Sequence, residues 1–391
     1  MKRIINSVLD TDFYKITMGQ AVAMQYGDID VEYEFTDRGG RRFPKGFTEE
    51  LGKQIQLLAG LRLTDKEYEW LKQNPMLGFM KRPYMDFLRG FQFDPDEVAA
   101  TLVGDGELKI KIRGPWYRTI YWEVPLLALV SELYYKMTNQ KADEHLFRAH
   151  LSEKATMLSN AMCSFADFGT RRRHSFAIHE EVVKKMALRC PRLFMGTSNV
   201  YLAMKYGLRV IGTHAHEWFS AHQAMFGPIM ATRMALKAWL REFNGRLGTA
   251  LTDTFTTDAF LRDFDPVFVR QFDGVRQDSG DPISFGWQMI NHYKSLGIDP
   301  KSKLLIFSDG LDADRAIEIN ETFKEHCKVS FGIGTNLTND VGVSPLNIVI
   351  KMSKCKVGDR WIDVVKLSDT PGKHHGTPEA IKLVKAQLGI N

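Results

Sequence analysis

The stretch Arg276-Gln277-Asp278-Ser279-Gly280-Asp281-Pro282 places two carboxylates around a Ser-Gly turn. Pro282 stands where a helix can begin, since its missing N–H is no loss there. Carboxylates alone repel phosphate. Asp278 and Asp281 instead suit sugar hydroxyls, or Mg²⁺ bridging phosphate oxygens. Arg276 adds a fork of donors for phosphate or carboxylate. The same residues also read as an Asp-rich turn with helix caps.

Two further loops fit that chemistry. In Phe331-Gly332-Ile333-Gly334-Thr335-Asn336 the glycines let backbone N–H groups approach an anion such as a terminal phosphate. A simple tight turn has the same pattern. Phe168-Gly169-Thr170-Arg171-Arg172-Arg173-His174 sets an aromatic ring beside three guanidinium groups. A flat anionic substrate could stack on Phe168 while an arginine meets its carboxylate. A solvated basic turn with one anchored Phe is the plainer alternative.

Gly212-Thr213-His214-Ala215-His216-Glu217-Trp218 follows an apolar run. A zinc site would need His222 as a third ligand, and the six-residue gap from His216 does not match helical ligand pairs. Phosphoryl or proton transfer suits a histidine better, because its pKa lies near neutrality. Gly196-Thr197-Ser198-Asn199 and Thr11-Asp12-Phe13-Tyr14-Lys15 read as helix caps. Thr252-Asp253 and Ser308-Asp309 lie near expected strand ends.

The elements that must position these residues change character along the chain. Residues 31–35 and 108–113 alternate apolar and polar, the mark of half-buried strands in an antiparallel sheet. From about residue 150, short β-rich runs at 209–213, 304–309 and 328–331 each lead into loops or helical stretches. Such units predict a parallel sheet, open or closed into a barrel, with ligands at the strand C-termini. Runs at 346–352 and 361–367 read as a strand pair returning to the N-terminal sheet. The expected division is residues 1–140 plus 345–391 as an α+β domain, and 141–344 as the catalytic domain.

Composition sets outer bounds. The chain has 391 residues, 44% apolar and 25% charged, so a sizeable core is available. A net charge of +5 separates 52 basic from 47 acidic residues without a single-sign block, so nucleic acid is not expected. Four scattered cysteines argue against a disulfide framework. Absence of a signal-like start or an 18-residue apolar run leads to the expectation of a cytoplasmic, non-membrane protein.

With these segments in order, the chain resembles the nicotinate phosphoribosyltransferase family along nearly its whole length. The shared motifs run from Thr11-Asp12-Phe13-Tyr14-Lys15 through the Phe168, Gly196, Ala215-His216-Glu217-Trp218 and Leu251-Thr252-Asp253 segments. They continue to the Arg276 loop, the Phe331 loop, Pro345-Leu346-Asn347 and Lys366-Leu367-Ser368. The resemblance implies an irregular α/β barrel of the type II phosphoribosyltransferases with a discontinuous α+β N-terminal domain. It implies nicotinate and phosphoribosyl pyrophosphate as substrates, ATP as co-substrate, Mg²⁺, and a homodimer.

Residue by residue, the resemblance makes His216 the group phosphorylated by ATP. Phe168 would stack on one face of the pyridine ring, with Tyr14 on the other, supplied by a neighbouring subunit. Arg171 would take the nicotinate carboxylate. Asp253, Asp278, Ser279, Asp281 and Asp309 would serve the ribose and Mg²⁺–pyrophosphate. Arg276 would contact phosphates, and Gly332, Gly334 and Thr335 the 5′-phosphate. Nicotinamide-using relatives carry an aspartate where this chain has Ser198, so Ser198 favours the acid, which a carboxylate would repel. Glu217, by adjacency, is expected to orient His216. Nicotinamide or quinolinate phosphoribosyl transfer is the alternative reading.

Overall fold

The computed structural model describes residues 3–390. Two sheets organise them. The antiparallel sheet is ordered β11-β10-β1-β3-β2, from strands β1 (Asp30–Asp37), β2 (Val98–Val103), β3 (Glu107–Pro115), β10 (Ile348–Val357) and β11 (Arg360–Asp363). In β3 the alternation puts Leu108, Ile110 and Ile112 in the core and Lys109, Lys111 and Arg113 outside. β1 pairs with β3 on one side and with β10 on the other. The chain's tail thus returns to the N-terminal sheet, as its apolar runs predict.

The second sheet is wholly parallel, ordered β5-β4-β9-β8-β7-β6. Its strands are β4 (Phe165–Asp167), β5 (Phe194–Thr197), β6 (Thr249–Leu251), β7 (Gly274–Gln277), β8 (Leu304–Phe307) and β9 (Lys328–Ile333). β4 and β6 are buried throughout, as expected of strands covered on both faces.

The expected strand at 209–213 shrinks to one parallel bridge between Thr197 and Val210. Gly212 turns away at φ 145° against the backbone of Tyr14. Thr213 Oγ1 then donates to Thr249 O at 2.9 Å, spanning the gap to β6. The order around the ring is therefore β4, β5, the Val210 segment, β6, β7, β8, β9 and back to β4. This is an irregular α/β barrel whose weakest seam is a side-chain hydrogen bond instead of a ladder.

Because all barrel strands run the same way, their C-terminal ends share one rim. Asp167, Thr197, Asp253, Asp278, Asp309 and Gly334 sit at or just beyond those ends. The helix His216–Phe226 starts at the same rim, packs against β10, and accepts the tail on its flank: Ser220 Oγ donates to Val365 O at 3.1 Å. No helix among the described residues is long and apolar enough to cross a membrane.

Candidate active site

A cleft of about 390 Å³ opens between the barrel rim and the antiparallel sheet. A smaller cavity of about 100 Å³ lies beside it, toward the Val210 seam. Phe168, Arg171 and Arg276 line both spaces and so form the partition between them.

The partition is built by the loop after β4. Asp167 accepts from Gly169 N, from Thr197 Oγ1 at 2.6 Å and from His179 Nε2 at 2.6 Å, fixing the turn that presents Phe168. A Cβ on Gly332 would lie 2.3 Å from the Phe168 ring. That glycine therefore makes room for the aromatic wall, a role the phosphate-loop reading did not include.

The three arginines separate. Arg173 is buried and paired bidentately with Asp10 at 2.7 Å, tying the loop to the N-terminal segment. Arg172 donates to Ile348 O at 2.8 Å and lines the cleft. Arg171 stands in the partition, 3.7 Å from Asp12 and 3.5 Å from Glu123.

The smaller cavity gathers Asp12, Tyr14, Phe168, Arg171 and Ser198. Tyr14 of this chain lines the cavity, and the helix Phe13–Gln25 is docked directly on the Ser198 segment through Phe13 N to Ser198 O at 2.7 Å. The expected Asp12 cap is also different: its carboxylate makes no capping bond and accepts instead from Ser198 Oγ at 2.6 Å. Burial pushes the Asp12 carboxyl up, against the pull of Arg171. An acidic group thus sits in the cavity after all, engaged by the serine. Asn199 caps the next helix through Leu202 N, as expected.

At the cleft floor His216 Nε2 lies 2.9 Å from Asp253 Oδ1 and 3.5 Å from Asp278 Oδ2. Asp253 is fully buried; its other oxygen accepts from Ser279 Oγ at 2.6 Å and pairs with Lys366 at 3.1 Å. Burial raises the Asp253 carboxyl, but His216 and Lys366 outweigh it and hold it well below the usual range. Burial, with Lys366, lowers the His216 pKa, while Asp253 and Asp278 oppose that fall. With the Nε2 proton donated to Asp253, Nδ1 keeps its lone pair.

Glu217 does not orient His216. Its carboxylate turns away to Lys15, Trp116 and Tyr33. His222 is satisfied by Tyr26 at 2.9 Å and Trp218 O at 2.7 Å, so it joins no metal set.

His216, Asp253 and Asp278 bring possible ligand atoms within 4.8 Å of one another. Asp253 is saturated by its donors, whereas Asp278 keeps an oxygen toward the cleft, beside Ser308 at 3.0 Å and Arg276 at 3.8 Å. Asp281 stands apart: it caps the helix Pro282–Ser295 through Ser284 N and meets Arg315 at 3.2 Å. Asp309 lines the cleft, paired with Lys373 at 2.9 Å; Gly332, Gly334 and Thr335 line it too.

Facing them is a cationic wall to which motif reading gave no role: Arg38, Lys351, Lys366 and Lys373, with His375. These come from the end of β1, from β10 and from the tail, so no local spacing announces them. The signal available was a lysine with apolar neighbours, such as Lys351 after Ile348-Val349-Ile350.

The nicotinate phosphoribosyltransferase N-terminal domain matches residues 9–131, and the nicotinate phosphoribosyltransferase family matches residues 163–391. The chain is 48% identical over 382 residues to a nicotinate phosphoribosyltransferase of Desulforapulum autotrophicum, covering 97% of each. It is 44% identical over 391 residues to that of Chromohalobacter salexigens, covering 99% of each. The crystal structure of nicotinate phosphoribosyltransferase from Porphyromonas gingivalis superposes with a TM-score of 0.96 at 44% identity, over 99% of this chain and 100% of that one. With both domains matched and full-length relatives well above 30% identity, the chain belongs to the nicotinate phosphoribosyltransferase family.

Proposed function

We propose that the chain joins nicotinate to phosphoribosyl pyrophosphate, forming nicotinate mononucleotide and pyrophosphate in NAD salvage by the Preiss-Handler route, with ATP hydrolysis coupled through phosphorylation of His216. The observation that carries this reading is the pair of adjoining spaces. One is a small cavity walled by Phe168, Tyr14 and Arg171, and the other a larger cleft whose cations face His216 and Asp278.

In this reading the pyridine ring rests between Phe168 and Tyr14, with its carboxylate on Arg171. Its nitrogen faces the cleft, where the anomeric carbon of the sugar is held. Substitution there passes through an oxocarbenium-like state, so positioning and charge stabilisation are what the protein supplies. Arg276 lies on the partition and meets the departing pyrophosphate. Asp278 and Ser279 serve the ribose side. The cationic wall offers the counter-charge that two polyphosphates require.

Mg²⁺ fits the donors present: Asp278, with Asp309 nearby, offers the one or two carboxylates that this ion takes beside phosphate oxygens and water. When bound it would neutralise pyrophosphate charge. Asp281 serves the helix cap in this account. His216 acts separately, with Nδ1 free to accept a phosphoryl group while Asp253 holds the ring. In this reading the enzyme is a homodimer.

Asp12 gives the nicotinamide reading its one specific support, because a carboxylate can accept from a carboxamide NH₂. The Ser198 hydroxyl already occupies that carboxylate. Turnover of nicotinate, nicotinamide and quinolinate, each with phosphoribosyl pyrophosphate, tests the assignment. Product from nicotinate alone supports it; preferred turnover of either rival overturns it.

A further inference from the structure

Lys15 is completely buried, its ammonium held between Glu123 Oε2 at 2.6 Å and Glu217 Oε2. The two carboxylates differ in what their other oxygens do. That of Glu217 accepts from Trp116 Nε1 and Tyr33 Oη, both at 3.1 Å, which fixes it firmly. That of Glu123 has only long contacts, to Tyr14 Oη at 3.4 Å and Arg171 Nη1 at 3.5 Å. Both of those groups wall the pyridine cavity.

Around the two cations, Lys15 and Arg171, stand three carboxylates: Glu123, Glu217 and, 3.7 Å from Arg171, Asp12. Burial pulls the Lys15 pKa down, yet the two glutamates outweigh it and hold the ammonium above its ordinary value. Replacing a buried ion cluster by apolar residues of equal volume is often neutral or stabilising. A cluster that touches a cavity wall at one end and the residue after His216 at the other calls for a role in the site.

We propose that Lys15 is a positioning residue joining the two compartments: it holds Glu123 back from Arg171 when a ligand carboxylate arrives, and it pins Glu217 so that the first turn of the His216 helix keeps its place. The inference rests on the reading that Arg171 receives the nicotinate carboxylate. Without Lys15, the nearest cation for Glu123 is Arg171, and an internal carboxylate then competes with the substrate's. Glu217 is left at the same time with neutral donors only.

Nicotinate affinity by calorimetry, and initial rates with and without Mg-ATP, would be measured for Lys15→Met, Lys15→Arg, Glu123→Gln and the double variant Lys15→Met/Glu123→Gln. Lys15→Met should bind nicotinate at least ~tenfold more weakly and lose its response to ATP. Lys15→Arg should recover most of both. The double variant should regain nicotinate affinity, because the neutral amide put in place of the Glu123 carboxylate no longer masks Arg171, while its ATP response stays lost. Glu123→Gln alone should bind nicotinate severalfold more tightly than wild type.

Equal losses in Lys15→Met and the double variant would mean a merely structural anchor and overturn the inference. Weaker nicotinate binding by Glu123→Gln overturns it as well, and that variant decides the matter should Lys15→Met fail to fold. A wild-type protein that binds no nicotinate sinks the underlying reading at the first titration, separately from any variant.

Discussion

His216 Nε2 sits 2.9 Å from Asp253 Oδ1, and Asp253 is held in turn by Ser279 and Lys366. The acid that orients the imidazole therefore comes from the end of β6, not from the adjacent Glu217. Asp253→Asn keeps the shape but permits the wrong tautomer, with the proton on Nδ1. Phosphorylation of His216 by ATP should then slow by on the order of 10²-fold or more, while nicotinate affinity changes little. Phosphohistidine labelling with γ-labelled ATP beside a binding isotherm measures both.

Ser198 and Asp12 form a switchable pair. Ser198→Ala frees the Asp12 carboxylate, which repels nicotinate and accepts from an amide. The ratio of kcat/KM for nicotinamide over nicotinate should rise about tenfold or more, the scale of one hydrogen bond to a charged group. Adding Asp12→Asn should cancel that rise. A ratio that stays put in Ser198→Ala would remove Asp12 from the specificity argument.

Gly332→Ala drives a methyl group into the Phe168 ring, 2.3 Å away. Overpacking of this kind costs about 1–3 kcal/mol, readable by denaturant titration. The same displacement moves the aromatic wall, so nicotinate KM should rise roughly tenfold through lost alignment. A variant with unchanged KM would show that Phe168 does not stack on the substrate.

The Lys351 ammonium has its pKa lowered to about 7, first by burial and then by Lys366 and Arg38. A bound polyphosphate favours the charged form, so binding takes up a proton once the free lysine has lost its own. Affinity for phosphoribosyl pyrophosphate should therefore fall as pH rises from about 7 toward about 9, and Lys351→Met should flatten that slope. The effect on folding has the opposite sign. Unfolded Lys351 keeps its proton up to its ordinary value of 10.5, so its share of stability grows between about pH 7 and that value. Binding isotherms across this range in both proteins check the first sign, and denaturant midpoints the second.

Much of the site was legible in sequence wherever chemistry and local structure share one loop. Asp278, Ser279 and Arg276 sit together, and Pro282 opens a helix capped by Asp281. Phe168 and Arg171 stand in the same partition. The alternation of 108–113 named β3, and the apolar tail named β10. What sequence could not show depends on distant segments meeting. Asp12 reaches Ser198 across 186 positions, and Lys15 reaches Glu217 across 202. The cationic wall is assembled from β1, β10 and the tail, where each lysine looks like any other. The strand expected at 209–213 failed because Gly212 leaves the extended region, a backbone choice that an apolar run does not reveal.

Formation of nicotinate mononucleotide from nicotinate and phosphoribosyl pyrophosphate is the most direct test, run with Mg²⁺ present, with and without ATP, in wild type and His216→Ala. The expected result is product in both proteins and an increase with ATP in wild type only. An ATP-driven increase that survives in His216→Ala, or no product from nicotinate in either protein, would contradict the proposed coupling or the proposed substrate.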